Sequence, residues 1–444
     1  MDAKKMWRRA AISAEMPFGL AALIGLHITA CCVSLVCVSI FKYPNFFKAE
    51  AFHILYDPAH LPSAVAVIAA FALVAILFVF ARFSIGYFIG FYFYTMVLGY
   101  LWLNCFSDLG YDHRLFGLSA AASAVAFLLP ALLITSPVRQ VYALSPSAFE
   151  HLLTIILVFS LATIVAGAAY NFRFVAVTDI YEFRDKLKFP GTLAYALSIT
   201  SSTLLPFAFA CFVARRNPLR AGAVLLLALL FYPITLSKLT LLTPAWLVFM
   251  ALLARIFGAR TSVILSLLLP MLVGILIFVL KVLPHYFYLV NFRTLAIPST
   301  AMDIYSHYFS DHDLTYFCQI RMLKPLMPCP YQDQLSVVLE RVYNLGNFNA
   351  SLFATEGIAS VGPLFAPISV FACGLVIALA NRLSAGLPPE FILTSGAVIP
   401  HVLLNVPLTI TLATHGAALL FLLWYVTPRT IFEPKESQQA IRAH

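Results

Sequence analysis

Charge is what this sequence has least of: Lys, Arg, Asp and Glu together make up 11% of its 444 residues, against 62% hydrophobic residues. A soluble domain carries roughly 45–50% apolar residues, so a mean hydropathy of +0.92 excludes a soluble fold of this length. There is no Gly-rich phosphate loop, no zinc-spaced His/Cys set and no GxSxG elbow, which leaves nucleotide-binding, zinc-enzyme and serine-hydrolase readings without their motifs. No metal and no cofactor are expected. Internal repeats and low-complexity tracts are lacking, and no Gly/Pro-interrupted pair of segments points to an inverted-repeat transporter. The pI near 9.1 is not matched by a basic patch on a soluble face, so nucleic acid is not an expected partner.

What the chain does have is long charge-free runs, such as those from Pro17 to Phe41 and from Thr261 to Leu280. These are about as long as the roughly 20 residues that cross bilayer hydrocarbon. The pattern predicts an all-α polytopic membrane protein, a single integral membrane domain over residues 1–444, with about twelve spans. They fall near 17–41, 62–81, 84–104, 115–135, 150–170, 192–213, 221–237, 239–254, 261–280, 357–380, 391–405 and 408–426. Lys4, Lys5, Arg8 and Arg9 hold the N-terminus inside. With twelve spans both termini are cytoplasmic, and the whole net charge of +9 falls on that side. The first apolar run is too long, and lacks the cleavage site, for a removable signal peptide.

Two segments stand out on the opposite side. Residues 171–191 form a short basic loop with Arg173, Arg184, Lys186 and Lys188, against the insertion bias; either a span is miscounted or the charges serve a ligand. Residues 284–356 form the one large polar stretch, broken by prolines yet rich in Tyr and Phe. That aromatic content argues for a folded segment lying back on the membrane surface. Cys318 and Cys329 share this segment and are candidates for a disulfide, whereas Cys31, Cys32 and Cys37 lie in one apolar run and read as small hydrophobes.

Candidate functional residues are scattered. Arginine suits phosphate because its planar fork binds two oxygens and stays charged, which singles out Arg184, Arg293, Arg173 and Arg341; Lys238 could reach a lipid phosphate or simply mark a hairpin turn. His307, near Asp303 and Asp311, reads as a base oriented by a carboxylate or as a solvent-facing histidine. Glu356 opens an apolar span, where a carboxylate suits the helix dipole and where it is also a plausible base. His401 and His415 lie inside spans, where polar groups face the bundle interior.

The segments YEFR with Arg184, FRTLAIPSTAMDIYSHYF with Arg293, Pro298, Tyr305 and Phe309, and EGIASVGPLFAP with Glu356 and Gly362 resemble the Wzy-type O-antigen polymerase family. The layout, a basic loop in mid-chain and a large loop before the last spans, is similar too. About forty residues carry the resemblance in motif. It implies a GT-C-like architecture in the bacterial inner membrane with a large periplasmic loop. It also implies an enzyme that joins polyprenyl-pyrophosphate-linked oligosaccharide repeat units into a surface polysaccharide. Arg184 and Arg293, with Lys238, Arg173 and Arg341, would hold pyrophosphate, and Glu356 or His307 would take the acceptor proton. Membrane lipid, a chain-length regulator and a separate flippase are the implied partners. The rival readings are a lipid-linked glycan flippase or transporter, an O-antigen ligase, and a membrane O-acyltransferase, the last expecting a deep histidine such as His401 or His415.

Overall fold

The computed structural model describes residues 15–43, 47–48, 52–176, 180, 183, 187–320, 323–345 and 353–432. Apart from a two-residue ribbon pairing Lys42–Tyr43 with Phe47–Lys48, the regular structure is helical. Among the described residues, ten helices are long and apolar enough to cross a membrane. They are α1 (Pro17–Ile40), α2 (Pro58–Phe80), α3 (Ile85–Asn104), α4 (His113–Leu133), α5 (Pro146–Ala168), α6 (Gly191–Ala214), α7 (Pro218–Thr235), α8 (Lys238–Ile256), α9 (Ala259–Leu280) and a long helix over Ala354–Ser384. Each of the first ten expected spans therefore has its helix. In the polar segment before the last of these, α10 (Ile297–Asp311) and α11 (Leu335–Tyr343) are shorter, so the long helix is α12.

The expected eleventh span is instead two short helices, α13 (Pro389–Ser395) and α14 (Ile399–Leu403). The twelfth is a pair, α15 (Leu408–Thr414) and α16 (Ala417–Val426), bent by 61° at Gly416. Interrupted segments are thus present where the sequence reading found none. The breaks fall at a lone glycine or a His-Gly pair inside apolar runs, which hydropathy does not register.

The chain divides into two compact units. The first comprises Met1–Ile134, Arg260–Leu379 and Leu403–Thr409. Its centre is α3, buried from Ile85 to Leu103. Helix α3 is aromatic on most faces, and its rings meet those of α2 edge-on, as where Phe78 meets Tyr87 and Phe91 at 5.2 and 5.3 Å. Without hydrophobic drive between helices in lipid, close backbone approach and packing hold them. Gly99 allows such an approach, since a Cβ there would collide with the Ser299 side chain of α10. At one end of this unit, Arg260 holds Glu15 at 3.0 Å and donates to the carbonyls of Val79 and Ala81.

Helix α12 is not straight. Gly362 has φ 73° and ψ 174°, and a Cβ on Gly357 would stand 3.2 Å from the backbone of Ala366. Nine residues along a continuous helix would be about 13 Å apart, so the chain doubles back at Gly362. Phe353, just before α12, stacks on Phe127 of α4 at 4.7 Å and meets Phe93 of α3 at 5.6 Å. Phe127 lies roughly 21 Å along α4 from His113. The 354–361 arm therefore starts deep in the bundle and rises to the turn.

The second unit comprises Thr135–Ala259, Ala380–Val402 and Ile410–His444. Its described part of the 171–191 loop is folded onto the α7–α8 turn: Asn171 Nδ2 donates to the carbonyls of Pro233 and Ile234 at 2.9 Å, and the Tyr232 hydroxyl donates to the Val175 carbonyl. Ile180, Tyr232 and Leu236 form a small apolar cluster beneath it. Elsewhere in this unit the Val138 N–H donates to the Arg382 carbonyl and the Leu144 N–H to the Val426 carbonyl. Arg429 donates to the carbonyls of Leu383, Ala385, Trp424 and Thr427. The chain thus leaves the 135–145 connection after Ser384 and returns to it at Val426.

Candidate polar site at the end of the first unit

Three connections meet at one end of the first unit: the one after α1, the one between α3 and α4, and the long one between α9 and α12. His53 Nδ1 and Asp108 Oδ1 are 2.8 Å apart, and Phe52 packs edge-on against Phe292 at 5.2 Å. Pro284–Phe287 runs into a π-helical stretch, Tyr288–Ala296, and straight on into α10. Asn291 anchors that stretch by donating to Ser34 Oγ of α1 at 2.9 Å and to the Met271 carbonyl of α9 at 3.1 Å. Described parts of the large segment pack against the helices of this unit, Tyr305, Tyr308, Phe309 and Leu339 sharing a cluster with Phe116, and Cys318 and Cys329 form a disulfide in it.

Asp303, on α10, is the centre of the site. The residue is 1% exposed. Ser107 Oγ donates to Oδ2 at 2.7 Å, and the Tyr111 hydroxyl is hydrogen-bonded to Oδ1. Tyr111 also lies 2.8 Å from Asn104 Oδ1 and 3.3 Å from the Tyr100 hydroxyl. Asn104 Nδ2 donates to the His113 carbonyl at 2.9 Å, and the two His113 ring nitrogens lie 2.8 Å from Asn104 Oδ1 and from the Leu109 carbonyl. Burial pushes the Asp303 carboxyl above the usual carboxylate range, with the Tyr111 and Ser107 hydrogen bonds and the nearby His113 and His53 acting the other way. Burial likewise pushes the Tyr111 hydroxyl up. None of this cluster except His307 and Asp303 was marked by the sequence reading. The available signal was the polar density of Asn104 to Arg114 in a connection between two apolar runs.

His307 lies one helical turn beyond Asp303 on the same face. Of its two expected settings, beside a carboxylate or facing solvent, it takes neither fully: the ring is half-buried, its Nδ1 pairs with the Tyr343 hydroxyl at 2.5 Å, and it lies 6.5 Å from the ring of Tyr111. Arg293 is exposed on the π-helical stretch of the same continuous helix. Arg341 is exposed on α11 and pairs with Asp333 at 2.7 Å. Glu356 follows Phe353 on the arm of α12 that precedes Gly362. It is half-buried on the deep arm of α12 and close enough to Tyr305 to help burial raise that hydroxyl's pKa.

The remaining candidates belong to the second unit. Arg173 is exposed and lines a pocket of about 300 Å³ with Tyr170, Asn171, Phe183 and Leu187. Lys238 is the half-buried first residue of α8, after the left-handed Leu236. Arg184 lies outside the described residues, as does Lys186. In the interior, His401 packs edge-on against Trp246 at 4.5 Å, and Trp246 Nε1 donates to the Ala397 carbonyl in the α13–α14 break. The His415 carbonyl, at the α15–α16 bend, accepts from Thr203 Oγ1 in a π-helical turn of α6.

Fold and site together define a multi-pass helical membrane protein with a buried carboxyl-tyrosine cluster where three connections converge. No family model, curated protein or solved structure matches the chain.

Proposed function

We propose that this protein is a bacterial inner-membrane glycosyltransferase that joins polyprenyl-pyrophosphate-linked oligosaccharide repeat units on the extracytoplasmic side. The observation that carries the reading is the convergence of Asp303, Tyr111 and His307 on one face of a helix that also carries Arg293. Group transfer from a pyrophosphate carrier asks for a cation at the leaving group and a proton acceptor at the attacking hydroxyl. Arg293 supplies the first; the polar cluster supplies the second.

Sidedness supports the placement. The connections that build the site follow α1, α3 and α9, so by alternation all lie opposite the N-terminus, whose Lys and Arg favour the cytoplasm. A disulfide in the long connection fits an oxidising compartment. The return of Val426 to the 135–145 connection agrees with both termini being cytoplasmic.

The experiment is reconstitution of the purified protein with a lipid-linked repeat unit. The expected product is a ladder of chain lengths. A second reading, a flippase for the same lipid-linked glycan, draws on the broken helices α13–α14 and α15–α16, since discontinuous helices build substrate sites in transporters. Movement of the lipid-linked unit between leaflets without a ladder would favour it.

A further inference from the structure

A count of protons in the Asp303 cluster leads past the choice of His307 or Glu356 as base. Asn104 Oδ1 is fixed as an acceptor, because Nδ2 of the same amide donates to the His113 carbonyl at 2.9 Å. The Tyr111 hydroxyl lies 2.8 Å from that oxygen and is also bonded to Asp303 Oδ1. It has one proton to give. An ionised Asp303 would leave one of these two contacts without a hydrogen; a neutral Asp303 donates to Tyr111, Tyr111 donates to Asn104, and both contacts of Tyr111 are made. Ser107 then donates to the other carboxyl oxygen. The cluster therefore holds a place for one exchangeable proton, and Tyr111, half-buried beside His307, is its outlet.

Resting on the glycosyl-transfer reading, we infer that Tyr111 and Asp303 form the base of this site: Tyr111 is the catalytic residue and Asp303 the group that acts through it. In the ionised form of the pair, the acceptor hydroxyl oxygen forms a bond to the donor sugar's anomeric carbon. The bond from that carbon to the pyrophosphate oxygen breaks, its electron pair leaving with the pyrophosphate. The acceptor proton passes to the Tyr111 oxygen while Tyr111's own proton passes to the Asp303 carboxylate, which later releases it to water. Arg293 lies ten residues before Asp303 on one helix, a rise of about 15 Å.

The groups facing the pair are Tyr100 from α3, Asn104 and His113 at the ends of α3 and α4, Ser107 and Asp108 from the connection between them, His53 from the first connection, Tyr343 from α11, and His307 on α10 itself. The acid side of the activity profile should report Asp303, whose ionised form is required, and activity should rise with pH as the raised carboxyl ionises.

The test compares wild type, Asp303→Asn and Tyr111→Phe as purified, reconstituted protein with a lipid-linked repeat unit. Asn reproduces the donor that a neutral Asp303 offers Tyr111, so this variant should fold, bind the lipid-linked unit by native mass spectrometry, and lose about 10²–10⁴-fold in extension rate. Its residual rate should lack the acid limb. Wild type should also show an infrared carbonyl band of a protonated carboxyl that Asp303→Asn lacks. Tyr111→Phe should lose extension to the same extent; a normal ladder from either variant, or a loss that tracks lost donor binding, overturns the inference and leaves the transferase standing. No ladder from wild type overturns both.

Discussion

The Phe353 ring lies stacked on that of Phe127, centroids 4.7 Å apart and planes within 19°. Because Phe127 is well down α4, this contact puts the start of α12 inside the bundle. Glu356, one turn later, should be shielded. In a variant with the six free cysteines replaced and the disulfide kept, a cysteine at Glu356 should react far more slowly with a membrane-impermeant thiol reagent than one at Tyr316, which is 61% exposed. Equal labelling would refute the doubled-back arm.

The turn that creates this arm depends on one residue. Gly362, with φ 73° and ψ 174°, occupies backbone territory essentially restricted to glycine. Gly362→Ala should destabilise by about 1–3 kcal/mol, read as a lower thermal midpoint in detergent. Gly222 is the opposite case, a helix-interior glycine with open space where a Cβ would go. Gly222→Ala should leave stability unchanged or raise it by about 0.5–1 kcal/mol.

Arg341 and Arg293 predict opposite outcomes. Arg341 and Asp333 make an exposed ion pair, and such pairs contribute about 0–1 kcal/mol. Arg341→Ala should therefore retain stability and chain extension. Arg293→Lys should already impair extension at normal protein level, since an ammonium cannot reproduce a bidentate grip on phosphate. The reverse order of effects would move the pyrophosphate site to α11.

How much of this could be read from residues alone follows the length of the signal. Ten spans were legible because about 20 apolar residues in a row have few other uses. The α13–α14 and α15–α16 breaks were not, since a local change of direction at Gly416 alters no hydropathy. Arg293 and His307 were visible as a cation and a titratable group in a polar segment. The cluster around Asp303 was not, because Asn104, Tyr111 and His113 lie about two hundred residues away in the chain, and only the packing of α10 along α3 brings them together.

Reporter fusions test the sidedness. Those placed after residues 140 and 430 should report the cytoplasm, and those at 180 and 320 the opposite side. A cytoplasmic signal at 320 would remove the site from the extracytoplasmic face.

The disulfide gives a further check. Closing the short loop between Cys318 and Cys329 should stabilise by about 2–3 kcal/mol. Cys318→Ser should lower the thermal midpoint and uncover Cys329 to thiol reagents. If both wild-type cysteines label in the unfolded, unreduced protein, the bridge does not form.

The chain reversal at Gly362 also ties the arm to the helices it enters. The 354–361 segment follows Phe353, the shared ring partner of Phe93 on α3 and Phe127 on α4, so it sits like a plug in a socket that those two helices build. Taking the plug out would leave a void beside both rings, and parting α3 from α4 would leave the plug without a seat.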